Sequence, residues 1–352
     1  MKMLKKILTI SIVIVMMIVT LVDCGKKAVS TSLRIVEGQP VKVAVFLIDF
    51  TDKYISLVRK NLEDIQKENE GKVEFTFYDG KSDKDIQHEE IDKVLQEGTD
   101  LILLNLISYR DKEAVQTVIN KIKQTNIPVI LFNREPLDKQ AVKSYSKAYF
   151  VGTDAKEAGV LQGEILINAW NTNKESIDKN RDNIMQYVML EGERNNIEAI
   201  ERTKYSVSTI QQAGIKTEEL ALKFADWNTE LARNATEALI SKYGDKIEVI
   251  IANNDAMAIG AIQTLQKYGY NKQDKTKTIA VVGVDAIPEA QDLIRKGFMA
   301  GTVIQDAPAM AKAFYTVGMN LVYNKNPLDG TEYKFDETGV AIRIPYKEYI
   351  SE

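Results

Sequence analysis

Asp178, Asn180, Asp182 and Gln186 place side-chain oxygens at positions 1, 3, 5 and 9 of one short loop, and Ile184 offers a backbone carbonyl at position 7. That spacing wraps oxygen ligands around a hard cation such as Ca2+. Position 6, usually glycine, is Asn183, which tolerates a left-handed backbone better than most residues. Position 12 is Met189, so the loop lacks a local bidentate carboxylate. On spacing alone a solvated Asp/Asn loop is the favoured reading. A second set of polar residues is scattered but regular in placement. Asp52 and Tyr54, Asn133, Asn253-Asn254-Asp255, Asp285 and Gln305 each follow a short aliphatic run. Each alone reads either as a helix N-cap or as a contact to a polar ligand.

Groups suited to catalysis are sparse. His88, the one histidine, sits in a polar helical stretch beside two glutamates and reads as a surface residue. Cys24 is the one cysteine, so no disulfide framework is available. The chain has no GxSxG, P-loop or HExxH pattern. Glycosidase chemistry needs two carboxylates flanking a glycosidic bond, and nothing marks such a pair. The expectation is a binding protein, not an enzyme.

The elements that must position these residues alternate. Strands are expected at Val41–Ile48, Val73–Phe77, Asp100–Asn105 and Pro128–Phe132, separated by helices Lys53–Lys67, Lys84–Gln96 and Asp111–Gln124. A second series has strands Ala148–Val151, Met185–Leu190, Leu220–Phe224, Glu248–Ala252, Ile279–Val284 and Thr302–Ile304. Its helices are Lys156–Trp170, Asn196–Ala213, Thr229–Tyr243, Met257–Tyr268 and Pro288–Lys296. Strands alternating with helices of this length mean βαβ units and parallel sheets, and two series in 352 residues mean two doubly wound α/β lobes. Ligands of such sheets bind beyond the carboxyl ends of the strands, which is where the scattered polar set falls.

At the N-terminus, Met1–Lys6 carries three lysines and Ile7–Val22 is almost unbroken aliphatic, the form of an export signal over residues 1–23. Leu21-Val22-Asp23-Cys24 resembles a bacterial lipobox, in which the cysteine is lipidated and becomes the mature N-terminus; Asp23 departs from the small residue usual there. An uncleaved anchoring span is the alternative. Residues 24–40 then form a polar tether, which puts the domain on the outer face of the cytoplasmic membrane, or in the periplasm where an outer membrane exists. The formal charge is −4, and more negative once the lysines of the first 23 residues are gone, which argues against nucleic acid as a partner. A DNA-binding repressor built on a two-lobed core would need a basic helix-turn-helix where this export signal stands.

From about Val41 to Tyr346 the chain resembles the periplasmic glucose/galactose-binding proteins of bacterial ABC importers, which also serve chemoreceptors. The resemblance is carried by Phe132-Asn133-Arg134-Glu135-Pro136, Lys147–Asp154 (KAYFVGTD), Ile251–Ala258 (IANNDAMA), Val282–Ala286 (VGVDA) and Ala300–Val303 (AGTV). It implies a type I periplasmic binding fold, two lobes joined by a three-strand hinge with crossings near Gly152, Asp306 and Arg343. The lobes are then 41–151 with 307–341, and 152–306 with 342–352. The implied partners are a monosaccharide, the membrane subunits of an importer and a chemoreceptor or sensor, with the protein acting as a monomer.

A hexose needs its flat C–H faces covered and each hydroxyl given a donor and an acceptor. The resemblance puts an aromatic sandwich on Tyr54 and Trp227, with Tyr54 standing where the family has Phe, and hydrogen bonds on Asp52, Asn133, Arg202, Asn254 and Asp285. Three positions depart from the family pattern: Asn196 replaces His, Glu198 replaces Asp and Gln305 replaces Asn. The resemblance makes D-galactose or D-glucose the expected ligand, and because the three departures cluster where sugar identity would be read, a pentose or modified hexose is the alternative. The resemblance also supplies the missing carboxylate of the 178–186 loop as Glu248, for a structural Ca2+.

Overall fold

A computed structural model describes residues 38–351 apart from Gln273. The first lobe is built on β1 (Val41–Leu47), α1 (Lys53–Glu68), β2 (Val73–Asp79), α2 (Lys84–Glu97), β3 (Leu101–Leu104), α3 (Lys112–Thr125), β4 (Val129–Phe132), a single-turn α4 (Gln140–Lys143) and β5 (Ala148–Gly152). The second continues through α5 (Ala155–Ile177), β6 (Ile184–Glu191), α6 (Ile197–Gln212), β7 (Lys216–Phe224), α7 (Thr229–Tyr243), β8 (Val249–Ala252), α8 (Asp255–Lys267), β9 (Ala280–Asp285), α9 (Pro288–Arg295) and β10 (Gly301–Ile304). The chain closes with α10 (Ala307–Val322), β11 (Ala341–Arg343) and β12 (Lys347–Tyr349).

One sheet has the order β11-β5-β4-β3-β1-β2 and the other β12-β10-β9-β8-β6-β7. Every pairing between these strands is parallel except β10 with β12. Parallel strands covered on both faces are apolar almost throughout, and β1 shows why. Val41, Val43, Val45 and Leu47 face α1 and α10, while Ala44 and Phe46 face α2 and α3. The second sheet is likewise packed between α7 to α9 and α5 with α6. The expected two-lobed, doubly wound α/β class is therefore the observed one. In both sheets the order reverses beside the first strand, which opens a crevice at the carboxyl ends.

Three connections pass between the sheets: β5 to α5 through Thr153, β10 to α10 through Gln305 and Asp306, and β11 to β12 through Ile344–Tyr346. Several elements differ from their sequence signals. Helix α5 runs to Ile177, well past Trp170, with non-helical backbone at Asn173 (φ −129°) marking the Asn-Thr-Asn break. Strand β7 begins at Lys216, four residues early, because it is an edge strand whose exposed, charged face carries no apolar pattern. Strands β11 and β12, three residues each, and α4 were too short to register as periodic. Among the described residues no helix is long and apolar enough to cross a membrane. Residues 1–23, Cys24 and most of the tether lie outside the described residues.

Candidate functional site

Where the carboxyl ends of the two sheets face each other, a cavity is lined by all ten residues singled out from sequence, together with Ile48, Ile55 and Arg134. From the first lobe, Asp52 ends the β1 loop and caps α1, its Oδ1 accepting from the Ile55 amide at 2.8 Å. Tyr54 follows on the first turn and is buried. Asn133 stands just after β4 in a left-handed conformation (φ 59°), its Oδ1 accepting from Asn105 Nδ2 at 3.2 Å. Asn105 also accepts from the Ile48 amide, so one buried amide ties the ends of β1, β3 and β4. No local pattern announces that role.

The second lobe supplies the other wall. Asn196 caps α6 by accepting from the amides of Glu198 and Ala199, at 2.9 and 3.2 Å. Glu198 and Arg202 lie one turn apart on that helix and pair at 3.6 Å. Asn254 caps α8 through the Met257 amide at 3.0 Å and gives its Nδ2 to the Trp227 carbonyl at 3.3 Å. Asp52, Asn196 and Asn254 thus serve as caps while lining the cavity, so the two sequence readings do not exclude each other. Trp227 (φ 61°), Asp226 (φ 45°), Asp285 (φ 122°) and Ala286 (φ 56°) hold positive φ, the concentrated backbone strain typical of binding loops. A side chain at Gly192 would run into the six-membered ring of Trp227, so only glycine lets the indole lie against that backbone.

Arg202 is the hub of this wall. It is 2% exposed and donates to the Asn253 carbonyl (2.8 Å), Gln305 Oε1 (3.1 Å) and Tyr346 Oη (2.9 Å). Burial works against its charge, but Tyr346, Glu198 and Asp285 outweigh it and hold the guanidinium firmly protonated. The carboxyls shift the opposite way. Burial raises Asp52, opposed in part by Arg134, and raises Glu198, opposed by Arg202. Asp285 is raised well above the usual carboxylate range by burial and by the charge of Asp255. Asp255 itself, pushed up to about 7 by burial, accepts from Thr302 Oγ1 and the Ile287 amide and so braces the Asp285 loop. Three buried polar atoms of cavity-lining residues make no well-formed hydrogen bond among the described residues: Tyr54 Oη, Arg202 Nε and Gln305 Nε2, although the Gln305 side chain lies near enough to the Tyr54 hydroxyl to offset in part the rise in its pKa that burial causes.

The lobes meet over the cavity. Arg134 of the first lobe forms a bidentate pair with Glu193 of the second (2.8 and 3.2 Å) while its guanidinium lies 5.2 Å from the Tyr109 ring centroid. Arg110 donates to the Arg194 carbonyl at 2.7 Å, and Lys53 pairs with Glu289 at 3.3 Å. Sequence reasoning missed these contacts because each joins residues more than fifty positions apart. His88 is half-buried and bonded to Ser108 Oγ at 3.2 Å, less exposed than its polar stretch suggested.

The 178–186 loop lies at the other end of β6. Asp178 accepts from the amides of Asp182 and Asn183 (3.1 and 3.2 Å), and Arg181 and Asn183 take the left-handed conformation that the turn needs. Glu248 reaches in from the start of β8 and accepts from the Lys179 and Gln186 amides at 2.9 and 3.1 Å. Burial pushes Glu248 up to about 7, and the charges of Asp178 and Asp182 add to the effect. The amide groups of Asn180 and Gln186 donate to Asp182, at 3.0 and 2.8 Å. Among the described residues no three acidic, His or Cys side chains gather closely enough to hold a metal by themselves. A cation here would draw on amide and carbonyl oxygens as well, after rotation of the two amides, which is the mixed oxygen set that Ca2+ accepts.

A family model described as a periplasmic binding protein domain matches residues 43–326. Over 306 residues the chain is 36% identical to the D-galactose/methyl-galactoside binding periplasmic protein MglB of Haemophilus influenzae, covering 87% of this chain and 88% of that one. A D-ribose/D-allose-binding protein of Pseudomonas aeruginosa is 21% identical over 88% of this chain and 91% of its own length. Among solved structures, an ABC transporter solute binding protein from Bacillus halodurans with bound myo-inositol superposes with a TM-score of 0.71 at 22% identity, covering 89% of this chain and 96% of that one. GanP, a glucose-galactose binding protein from Geobacillus stearothermophilus, gives 0.65 at 19%, covering 89% and 98%. At those identities the structural likeness speaks for the fold. The relatives are binding proteins, in line with capture rather than catalysis. Because the family match begins in β1, ends after α10 and takes in every residue of the cavity wall, the chain belongs to the periplasmic binding protein family.

Proposed function

We propose that this protein captures a neutral monosaccharide, D-galactose or D-glucose, between its lobes and delivers it to the membrane subunits of an ABC importer. The observation that carries the reading is the trio of unpartnered buried atoms, Tyr54 Oη, Arg202 Nε and Gln305 Nε2, in a cavity that also holds three carboxyls. An unmet buried polar group costs about 1–3 kcal/mol, so such a wall is built for a ligand rich in hydroxyls, which donate and accept at once. The cavity walls carry Asp52, Glu198 and Asp285 against Arg202 and Arg134, and Arg134 is engaged by Glu193. That balance disfavours anionic sugars. The 36% identical relative named for D-galactose supports the hexose. The second reading, a pentose or modified hexose bound for sensing, is favoured by the longer Glu198 and Gln305, which move head groups relative to the family pattern.

Titration of the full-length protein, in a detergent without a sugar head group, against hexoses and pentoses tests this by tryptophan fluorescence. Trp227 lines the cavity whereas Trp170 is buried in the second lobe. A saturable response to D-galactose or D-glucose is expected. A response confined to pentoses moves the ligand to the second reading, and silence toward every neutral sugar, checked by calorimetry, overturns the proposal.

We further propose that Asp178, Asn180, Asp182, Gln186, Glu248 and the Ile184 carbonyl hold a structural Ca2+, which would offset the crowding of three carboxylates. Chelation is expected to lower Tm by about 5 °C, the effect of losing a ligand held near 100 times its Kd. Glu248→Gln should have the lower Tm already and no longer respond to chelator; an unchanged wild-type Tm removes the site. Cys24 is proposed as the lipid anchor and a chemoreceptor as a second docking partner, on the resemblance alone.

A further inference from the structure

The three connections between the lobes converge on one hydroxyl that does not line the cavity. Tyr346 lies on the β11–β12 connection and is 4% exposed. Its Oη is 2.8 Å from Thr153 Oγ1 on the first connection, 3.4 Å from Gln305 Oε1 on the second, and accepts from Arg202 Nη2 at 2.9 Å. Thr153 is held from its other side as well, its carbonyl accepting from Arg343 at 3.0 Å, while Arg343 is forked onto Glu135 at 2.6 and 2.9 Å.

The valences fix the orientations. A guanidinium nitrogen only donates, so Gln305 must turn Oε1 toward Arg202 Nη2 (3.1 Å), which sends Nε2, one of the unpartnered donors, the other way. A phenol has one proton and two lone pairs, and Arg202 occupies one lone pair. Loss of the Tyr346 hydroxyl would therefore release a buried guanidinium hydrogen bond, the Thr153 tie and the longer contact to Gln305 Oε1 together, leaving Gln305 held by Arg202 alone. Each of these lies on a different segment of the hinge or on the cavity wall.

We propose that Tyr346 is a positioning residue that couples the guanidinium and amide of the sugar site to the bend of all three hinge connections. This rests on the sugar-binding reading, but the hinge half of it can be measured without sugar. Tyr346→Phe removes only the hydroxyl. In the unliganded full-length protein, amide hydrogen exchange is expected to quicken roughly tenfold at Gln305, Ile344 and Tyr346, whose N–H groups are bonded to Asp285, Gly152 and Glu157, with the sheet cores unchanged. With D-galactose or D-glucose, stopped-flow fluorescence should give a roughly tenfold rise in Kd carried by the dissociation rate, the association rate staying near wild type. Thr153→Val should show a smaller effect of the same kind, and the double variant should fall short of the product of the two. Quickened exchange confined to Tyr346 and its neighbour Ile344, additive effects, or unchanged dissociation in a variant that retains the wild-type Tm would each overturn the coupling. A wild type that binds no sugar removes the sugar reading, while the exchange result still decides whether the hydroxyl ties the hinge.

Discussion

Arg202→Ala is expected to abolish saturable sugar binding and to destabilise the protein by about 3 kcal/mol, near the lower end of the usual cost of breaking a buried ion pair. Arg202 makes three hydrogen bonds to the Asn253 carbonyl, Gln305 and Tyr346 and offsets the charges of Glu198 and Asp285. The lower end applies because burial has already raised both carboxyls, so each can take up a proton when the guanidinium leaves. The sign of the pH effect follows. A carboxyl whose pKa is higher in the fold than in the unfolded chain binds more protons when folded, so stability falls as pH rises from the unfolded value toward the folded one and is flat beyond it. The variant should therefore be more stable at pH 5 than at pH 7, and by a wider margin than wild type. Denaturant titration at the two pH values, beside calorimetric titration with sugar, checks this. Arg202→Met, which refills the volume, should recover part of the stability and none of the binding. A methionine variant that still binds sugar would remove Arg202 from the recognition machinery.

Trp227→Ala is expected to weaken sugar binding by about 2–3 kcal/mol, roughly 30- to 150-fold, while leaving the fold in place. In the proposed sugar complex the indole would cover a C–H face of the ligand, and it is only half-buried against the second-lobe core, so truncation opens no deep cavity. Its backbone should stay put, because Asn254 holds the Trp227 carbonyl and the Asn228 amide donates to the Ala225 carbonyl at 2.8 Å. Trp227→Phe should recover most of the loss. Calorimetry is the measurement to use, since the variant loses the reporting fluorophore. Equal affinity of Trp227→Ala and wild type would mean that the ring is packing and not a sugar platform.

The strain around this site fits a protein that must close on its ligand. Five cavity-wall or adjacent residues, Asn133, Asp226, Trp227, Asp285 and Ala286, hold positive φ without being glycine. Most are held by neighbours: Asn105 for Asn133, Asn254 for Trp227, Asp255 for the loop after Asp285. The pairs Arg134–Glu193 and Lys53–Glu289 and the Arg110–Arg194 contact join the two lobes, and a ligand bridging both walls would favour that arrangement over an open one.

Much of this molecule was legible in the order of its residues. The β-branched runs and the helical repeats between them specify two parallel-sheet lobes. Asp52, Asn196 and Asn254 announce helix starts through interactions that span three residues, and the 178–186 loop declares its oxygens by spacing alone. These signals are local: a cap, a period of two or 3.6, a turn are all settled within a few positions. What local pattern could not specify is which distant groups meet. The fork of Arg134 on Glu193, the glycine at 192 beneath Trp227, the amide of Asn105 behind Asn133 and the hydroxyl of Tyr346 among Thr153, Gln305 and Arg202 join residues from 28 to 193 positions apart. Strands β11 and β12, which carry Tyr346 to its place, are too short to show a period and exist because an open sheet edge received them. The sequence by itself determined the elements and the chemistry at their ends. Only the tertiary structure decided the partners, because strand order and the three-fold crossing of the hinge bring together groups whose mutual distance no local interaction constrains.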